Sequence, residues 1–178
     1  MTSEILLAGF GGQGILFAGK VLAYCGLSAG LEVSWLPSYG PEMRGGTCNC
    51  SVILSDDPIG SPTVYEPDIL MVMNEPSFVK FIDHAKSGSK VFIDSTLVDS
   101  RTDRKDIELY EIPATSLAEE QGLKGGANII LLGLITAKTG IISDKDVKSA
   151  FEKIVPPTKP QLIENNLRAI KLGQSYNA

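Results

Sequence analysis

The stretch Ser3-Glu-Ile-Leu-Leu-Ala-Gly-Phe-Gly-Gly-Gln-Gly-Ile-Leu-Phe-Ala-Gly-Lys20 decides the fold. Its apolar run from Ser3 to Ala8 predicts a strand, and Gly9, Gly11 and Gly14 follow in the order G-x-G-x-x-G as a helix opens. In such a unit the first glycine permits a tight turn, the second allows another backbone to approach closely, and the third lets the helix and the strand pack closely. Free helix N–H groups also point at the turn. The sequence therefore predicts a strand, loop and helix with a site for an anion or carbonyl oxygen.

Two nucleotide-binding patterns are disfavoured for this turn. A dinucleotide site needs an acid at the C-terminal end of the second strand, but Glu32-Val-Ser-Trp-Leu-Pro37 has its only acid at the beginning. A phosphate-binding P-loop also fails, because Gly19-Lys20 is followed by Val21 and lies within the predicted helix. The residues favour a structural glycine turn, and nucleotide binding remains the alternative.

Composition narrows the class of protein. With 178 residues, 43% apolar and 21% charged, the chain is typical of one globular domain, predicted to span residues 1–178. A net charge of −5 disfavours nucleic-acid binding, which usually needs a basic face. The apolar run from Ile129 to Ile135 is too short for a membrane span. Glu4 stands where a signal peptide would carry positive charge, so a cytoplasmic location is expected.

The order of elements predicts an α/β fold. A helix from Gln13 to Ala29 precedes a strand from Glu32 to Leu36 that Pro37 is expected to close. Thr47 to Ser55 alternates with one fully apolar face, which suits an edge or antiparallel strand. Further strands are predicted at 68–73, 90–93 and 107–112. Two further helices are predicted with asparagine caps: one begins near Pro76 with Asn74 as its cap, and the other runs from its cap Asn128 to Ala137. The remaining helices are predicted at 115–121, 144–154 and 159–172. This alternation predicts a three-layer α/β/α sandwich with a mainly parallel, mixed central sheet in a single domain.

The loop predicted from Ser38 to Gly46 combines glycine and proline with side chains that can bind a ligand or a partner. Tyr39, Glu42 and Arg44 supply an aromatic ring, an acid and a guanidinium. Glu42 and Arg44 either pair to brace the loop, or Arg44 is presented to a carboxylate, a phosphate or a partner subunit. In a parallel sheet this loop and the glycine turn lie at the same edge, so the two are expected to meet.

No self-contained catalytic or metal site is predicted. Cys48 and Cys50 are the only close pair of cysteines, and their spacing along a strand indicates small core residues. Cys25 lies on a helix, and the single histidine, His84, is expected on the surface near a helix end. One histidine without a G-x-S-x-G nucleophile turn makes a catalytic triad improbable. We therefore predict no catalytic residue and no metal ligand in this chain.

Three motifs in order resemble one protein family. Gly9-Phe-Gly-Gly-Gln-Gly-Ile15, Ser38-Tyr-Gly-Pro-Glu-Met-Arg-Gly-Gly46 and Ser55-Asp-Asp-Pro-Ile-Gly-Ser-Pro62 resemble the gamma subunit of 2-oxoacid:ferredoxin oxidoreductases. The resemblance implies an enzyme complex that converts a 2-oxoacid and coenzyme A into an acyl-CoA, carbon dioxide and reduced ferredoxin. It implies that thiamine diphosphate, magnesium and iron–sulfur clusters sit on other subunits, and that this chain binds none of them and is inactive alone. The implied partners are alpha and beta subunits, a ferredoxin-like delta subunit and, as electron acceptor, ferredoxin.

The form Gly40-Pro-Glu-Met-Arg-Gly-Gly46 looks closest to the 2-oxoglutarate branch, with succinyl-CoA as product. Pyruvate, branched-chain and indolepyruvate enzymes share the general pattern. By analogy, the predicted cofactor-binding or subunit-interface residues are Gly9, Gly11, Gly12, Gln13, Gly14, Tyr39, Glu42, Arg44, Gly45 and Gly46. Competing hypotheses are a free-standing nucleotide-binding or sensor domain, and a monofunctional enzyme acting through Glu42 or Asp94. An isolated copy is also expected to be able to form a homodimer.

Overall fold

A computed structural model describes residues 1–39 and 47–178 of the chain. Its strands are β1 (Thr2–Phe10), β2 (Glu32–Tyr39), β3 (Thr47–Ser55), β4 (Ile69–Val72), β5 (Lys90–Asp94) and β6 (Glu108–Ile112). Its helices are α1 (Ile15–Ser28), α2 (Glu75–Phe81) followed by a 3₁₀ turn (Ile82–His84), α3 (Ala114–Glu120), α4 (Ala127–Thr139), α5 (Asp144–Ile154) and α6 (Pro160–Gln174). The predicted elements are confirmed in type and order. No described helix is long and apolar enough to cross a bilayer.

The six strands form one mixed sheet in the order β2-β3-β1-β4-β5-β6. Strand β3 runs antiparallel to both of its neighbours, whereas β1, β4, β5 and β6 are mutually parallel. The antiparallel position predicted for β3 is confirmed, although β3 is not an edge strand. The parallel strands end at one edge of the sheet, where ligand and partner sites of such folds occur.

Pro37 does not close the second strand, so this boundary was wrong. Strand β2 continues to Tyr39, with Pro37 opposite Cys50 of β3. Because β2 is at the edge of the sheet, it has a strand neighbour on one side only. A proline whose missing N–H faces the open side costs no ladder hydrogen bond.

Helices cover the two faces of the sheet unequally. On one face, Ile5, Leu7 and Met71 pack with buried residues of α1, α3, α4, α5 and α6. On the other face, Leu6 and Leu70 pack mainly with α2 and the connecting segments. The three-layer prediction is confirmed, with a thick helical layer and a thin one.

Two helices begin with a side-chain cap, and one cap predicted from the sequence does not form. Asn74 accepts the N–H of Ser77 at 2.8 Å, as predicted, and Ser143 caps α5 in the same way. The predicted cap of α4 was wrong. Helix α4 begins at Ala127 after Gly126, which places Asn128 inside the first turn.

Helices α4 and α6 of the thick layer touch through their backbones. A Cβ atom on Gly173 of α6 would lie 1.8 Å from the carbonyl oxygen of Ile130, and one on Gly133 of α4 would lie 2.2 Å from that of Ile170. Neither oxygen can move away unless its helix moves with it, since both belong to helix backbone. We call this contact of Gly133 and Gly173 the α4–α6 seam; it fixes the position of α4 beneath the sheet.

Candidate functional site

Residues 9–14, the glycine turn, connect β1 to α1 at the edge where the parallel strands end. Gly12 and Gly14 have φ angles of 107° and 75°, which side chains other than glycine rarely adopt. Gly14 is the N-cap of α1 and contributes no side-chain cap. Gly9 has a different role from the one the motif suggests: it belongs to β1, opposite Cys48. The tight turn is therefore made by the later glycines.

Gln13 closes the glycine turn with its side-chain amide. Its Oε1 accepts the backbone N–H of Phe10 at 2.9 Å, and its Nε2 donates to the carbonyl oxygen of Met73 at 2.7 Å. The amide thus ties the end of β1 to the end of β4. A Cβ atom on Gly9 would lie 2.5 Å from the Oε1 of Gln13, which explains the glycine there. Both ends of the Gln13 amide are committed to holding the turn.

Asn128 of α4 is a residue of this site that sequence reasoning missed. Its side chain is 2% exposed, and its Nδ2 donates to the carbonyl oxygen of Gly14 at 2.9 Å. Its Oδ1 is buried and accepts no hydrogen bond from any described residue. A Cβ atom on Gly14 would lie 2.4 Å from this Nδ2. The available signal was an amide in an otherwise apolar helix, because buried polar groups are normally hydrogen-bonded.

Strands β2 and β3 have their described ends at the same sheet edge as the glycine turn. Thr47 pairs with Phe10, and Cys48 pairs with Gly9 on one side and Tyr39 on the other. Of the predicted site residues, Glu42, Arg44, Gly45 and Gly46 lie outside the described residues, as does the side chain of Tyr39. Gly11 is exposed at the tip of the turn. The roles proposed for these residues stay predictions.

A cleft of about 480 Å³ lies beside the glycine turn, and we call it the turn cleft. Its walls come from the turn, from the segments that follow β4 and β5, and from α3 with the connection to α4; they include Phe10, Gln13, Met73, Leu97, Thr115 and Ala118. Phe10 and Leu97 are 37% and 39% exposed. The charged residues Glu119 and Lys124, which also line the cleft, are exposed.

Asp94 at the end of β5 is fully buried beneath this cleft wall. Its carboxylate accepts hydrogen bonds from the hydroxyl and backbone N–H of Thr115 and from the backbone N–H of Thr96. The carboxylate therefore caps the start of α3 and holds the turn after β5. This geometry argues against the hypothesis that Asp94 acts as a catalytic acid.

The cysteines do not fit as ligands of an iron–sulfur cluster. Cys25, Cys48 and Cys50 are buried, and burial raises the pKa of the Cys25 and Cys50 thiols to about 12. All three side chains belong to the apolar core, so none of them is presented at a surface where a cluster could be bound. No three His, Cys, Asp or Glu side chains among residues 1–39 and 47–178 could hold a metal ion. His84 is exposed at the end of the 3₁₀ turn, as predicted.

Comparison with known proteins places these features in one family. The profile of the pyruvate ferredoxin/flavodoxin oxidoreductase family matches residues 4–176. The 2-oxoglutarate synthase subunit KorC of Methanocaldococcus jannaschii is 39% identical over 97% of this chain and 92% of its own length. The ketoisovalerate oxidoreductase subunit VorA of Methanothermobacter thermautotrophicus is 36% identical, but this chain spans only 36% of its length.

A solved structure has the same fold. The gamma subunit of the keto/oxoacid ferredoxin oxidoreductase from Geobacter sulfurreducens superposes with a TM-score of 0.81 at 28% identity. The superposition covers 97% of this chain and 96% of that one. The mixed sheet with its thick and thin helical layers is therefore the architecture of a known gamma subunit.

Proposed function

The chain belongs to the pyruvate ferredoxin/flavodoxin oxidoreductase family, and from this premise we propose that it is the gamma subunit of a 2-oxoacid:ferredoxin oxidoreductase complex. The observation that carries the proposal is the similarity to KorC, which extends over nearly all of both chains. We propose 2-oxoglutarate as the substrate, converted with coenzyme A into succinyl-CoA and carbon dioxide while ferredoxin is reduced. Residues 1–178 act in it as one gamma-type domain.

The role proposed for this chain is structural, at an interface with the catalytic subunits. Thiamine diphosphate, magnesium and iron–sulfur clusters are assigned to the alpha, beta and ferredoxin-like delta subunits. Two observations support this division. The Cys25, Cys48 and Cys50 thiols are buried in the apolar core, and the side chains of Gln13 in the glycine turn and of Asp94 at the end of β5 are engaged in holding the backbone. The alternative of a free-standing nucleotide-binding or sensor domain gains no support from the comparisons.

The predicted site residues would face the catalytic subunits near the path of coenzyme A. The described ends of β2 and β3, Tyr39 and Thr47, lie at the same sheet edge as the glycine turn, which supports this proposal. A guanidinium is suited to the phosphates of coenzyme A because it donates two parallel hydrogen bonds. We expect Arg44→Ala to raise the KM for coenzyme A with little change in kcat. Arg101→Ala is the control, since Arg101 pairs with Glu111 of β6, the edge strand at the other end of the strand order from β2.

The test of the function is an anoxic affinity purification of this chain from its native cells. The eluate is assayed for coenzyme A-dependent reduction of a viologen dye with 2-oxoglutarate, pyruvate, ketoisovalerate and indolepyruvate in turn. Co-purification of thiamine- and cluster-bearing subunits, with 2-oxoglutarate as the best substrate, is the expected result. A different best substrate would correct the substrate alone. Recovery of the chain without partners or activity, from an extract that retains the activity, would overturn the assignment.

A further inference from the structure

Asn128 of α4 has polar contacts that stability does not explain. Its Nδ2 donates to the carbonyl oxygen of Gly14 at 2.9 Å, but that oxygen already accepts the backbone N–H of Ala18 at 2.9 Å in the first turn of α1. The Oδ1 of Asn128 is buried and has no hydrogen-bond partner among the described residues. An unpaired buried acceptor costs about as much free energy as one hydrogen bond contributes. The amide group as a whole therefore adds little to the stability of the fold.

The hydrogen bond of Asn128 differs from that of another buried asparagine, Asn74. Asn74 accepts the N–H of Ser77, three residues later, and so stabilises the start of its own helix. Asn128 bonds a residue 114 positions away and joins the first turn of α4 to the N-cap of α1. The bond therefore acts on the relative position of two elements and not on the formation of either one.

Gly14 is a residue whose conformation depends on contacts from elsewhere in the fold. It has a φ angle of 75°, and no side-chain hydrogen bond caps α1 there. Because glycine has a wide choice of backbone angles, its own residue type does not fix the direction of its peptide group. Gln13 ties the turn to the strand ends by bonding Phe10 and Met73. Asn128 holds the other end of the turn, where α1 begins.

Resting on the function proposed above, we propose that Asn128 is a positioning residue of the oxidoreductase reaction. It touches neither substrate nor cofactor. It acts by holding the Gly14 peptide, and with it the glycine turn that the proposed function puts near the path of coenzyme A. Small displacements of a binding element weaken productive binding strongly. Loss of Asn128 should therefore raise the KM for coenzyme A, whereas the chemical step, which the proposed function assigns to other subunits, keeps its rate.

The experiment compares Asn128→Ala with Ser143→Ala, an alanine variant that should lose a similar amount of stability. Ser143→Ala removes the cap of α5. The cap lies at the far end of α1 from the turn, because the carboxylate of Asp146, which Ser143 bonds, interacts with Ser28. Complexes assembled under anoxic conditions from the remaining subunits and each chain are assayed for coenzyme A-dependent viologen reduction. We expect Asn128→Ala to raise the KM for coenzyme A at least about fivefold, with the kcat and the KM for the 2-oxoacid within about twofold of wild type. Ser143→Ala should leave all three unchanged, and urea unfolding compares the two stabilities.

Asn128→Leu separates the hydrogen bond from the volume of the side chain. Leucine has the branching of asparagine without its polar atoms, so it fills the space that alanine leaves empty, and we expect it to raise the KM for coenzyme A as alanine does. A wild-type KM in either Asn128 variant, an equal rise in Ser143→Ala, or a fall in kcat in place of the rise in KM would overturn the inference and leave the proposed function intact. A wild-type complex without coenzyme A-dependent activity would instead overturn the proposed function, and the inference with it.

Discussion

Glycine meets two different physical demands in this molecule, one at the glycine turn and one at the α4–α6 seam. At the turn, Gly12 and Gly14 are needed for their backbone angles, and a Cβ on Gly12 would meet nothing within 4 Å. At the seam, Gly133 and Gly173 have ordinary helical geometry, but each presses against a carbonyl oxygen of the other helix. The first demand is conformational and the second is steric. A glycine in a motif is therefore no guide to where glycine matters most for stability.

Helix α4 connects the two contacts. Gly133 fixes its middle against α6, and Asn128 in its first turn bonds the carbonyl oxygen of Gly14. The position of the glycine turn thus depends on a helix whose own position is set at the seam. Changes at the seam should reach the turn, whereas changes at the turn should leave the seam intact.

The largest effect is expected for Gly173→Ala. The new methyl group would overlap the Ile130 carbonyl oxygen, so α4 and α6 must separate, and such overpacking costs about 3 kcal/mol, the upper end of its usual range. Gly60→Ala is the matched control, because a Cβ there meets nothing and its backbone needs no positive φ. Urea unfolding of both variants measures the difference. Equal stabilities would mean that the seam is not the tight contact described here.

Much of the fold was predictable because its signals are local. Short apolar runs gave the buried strands, and Asn74 before Pro76 gave the start of α2, since a cap and a first-turn proline act on neighbouring residues. The exceptions depend on tertiary position. Pro37 is tolerated in β2 only because β2 is an edge strand, and the seam depends on how two helices cross. Neither feature can be predicted from residues that are close together in the sequence.

The candidate site was predictable in part for the same reason. The glycine turn is a continuous motif, and the rule that parallel strands share an edge placed the ends of the 39–47 loop beside it. The turn cleft is assembled from Phe10, Met73, Leu97 and Thr115, which are far apart in the chain. Asn128 reaches Gly14 across 114 residues. Contacts of this kind appear only once the sheet order and the helix packing are known.

A smaller effect is expected for Gly14→Ala, which combines both demands at one position. The positive φ costs about 1–2 kcal/mol for a residue with a side chain, and the methyl group would also overlap the Asn128 amide. In an Asn128→Ala background the overlap disappears and only the conformational cost should remain. Gly12→Ala, which has the positive φ without the contact, should resemble that remainder. A double-mutant cycle by urea unfolding separates the two parts; strict additivity would show that Asn128 and residue 14 do not interact.

Asn128→Ala by itself should cost about 1 kcal/mol. The variant loses the hydrogen bond to the Gly14 carbonyl oxygen, but it also removes a buried Oδ1 without a described partner, so the two changes oppose each other. Hydrogen exchange distinguishes this local effect from a global one. Faster exchange is expected at residues 14–18, with the amides of α6 unchanged. If amide exchange in α6 became faster by the same factor, the turn and the seam would open together as one cooperative unit, and the turn would not be opening alone.

The smallest effect is expected at an ion pair outside both contacts. The Arg104 guanidinium lowers the pKa of the Asp106 carboxyl from 3.8 to about 2. Because the folded-state pKa is the lower one, this pair stabilises the fold fully above about pH 4, and the contribution is lost as the pH falls towards 2. Asp106→Asn should therefore lower the Tm by about 2 °C or less at pH 7, since exposed pairs contribute little, and the difference from wild type should vanish between pH 4 and pH 2.

Arg104 also donates to the carbonyl oxygens of Ile82 and Ala85, so a larger loss at pH 7 would show that Asp106 acts by holding Arg104 in place at the end of the 3₁₀ turn. In either case Gly12, Gly14 and the seam are unchanged. The stability change of this variant is therefore the reference with which those of the glycine substitutions are compared.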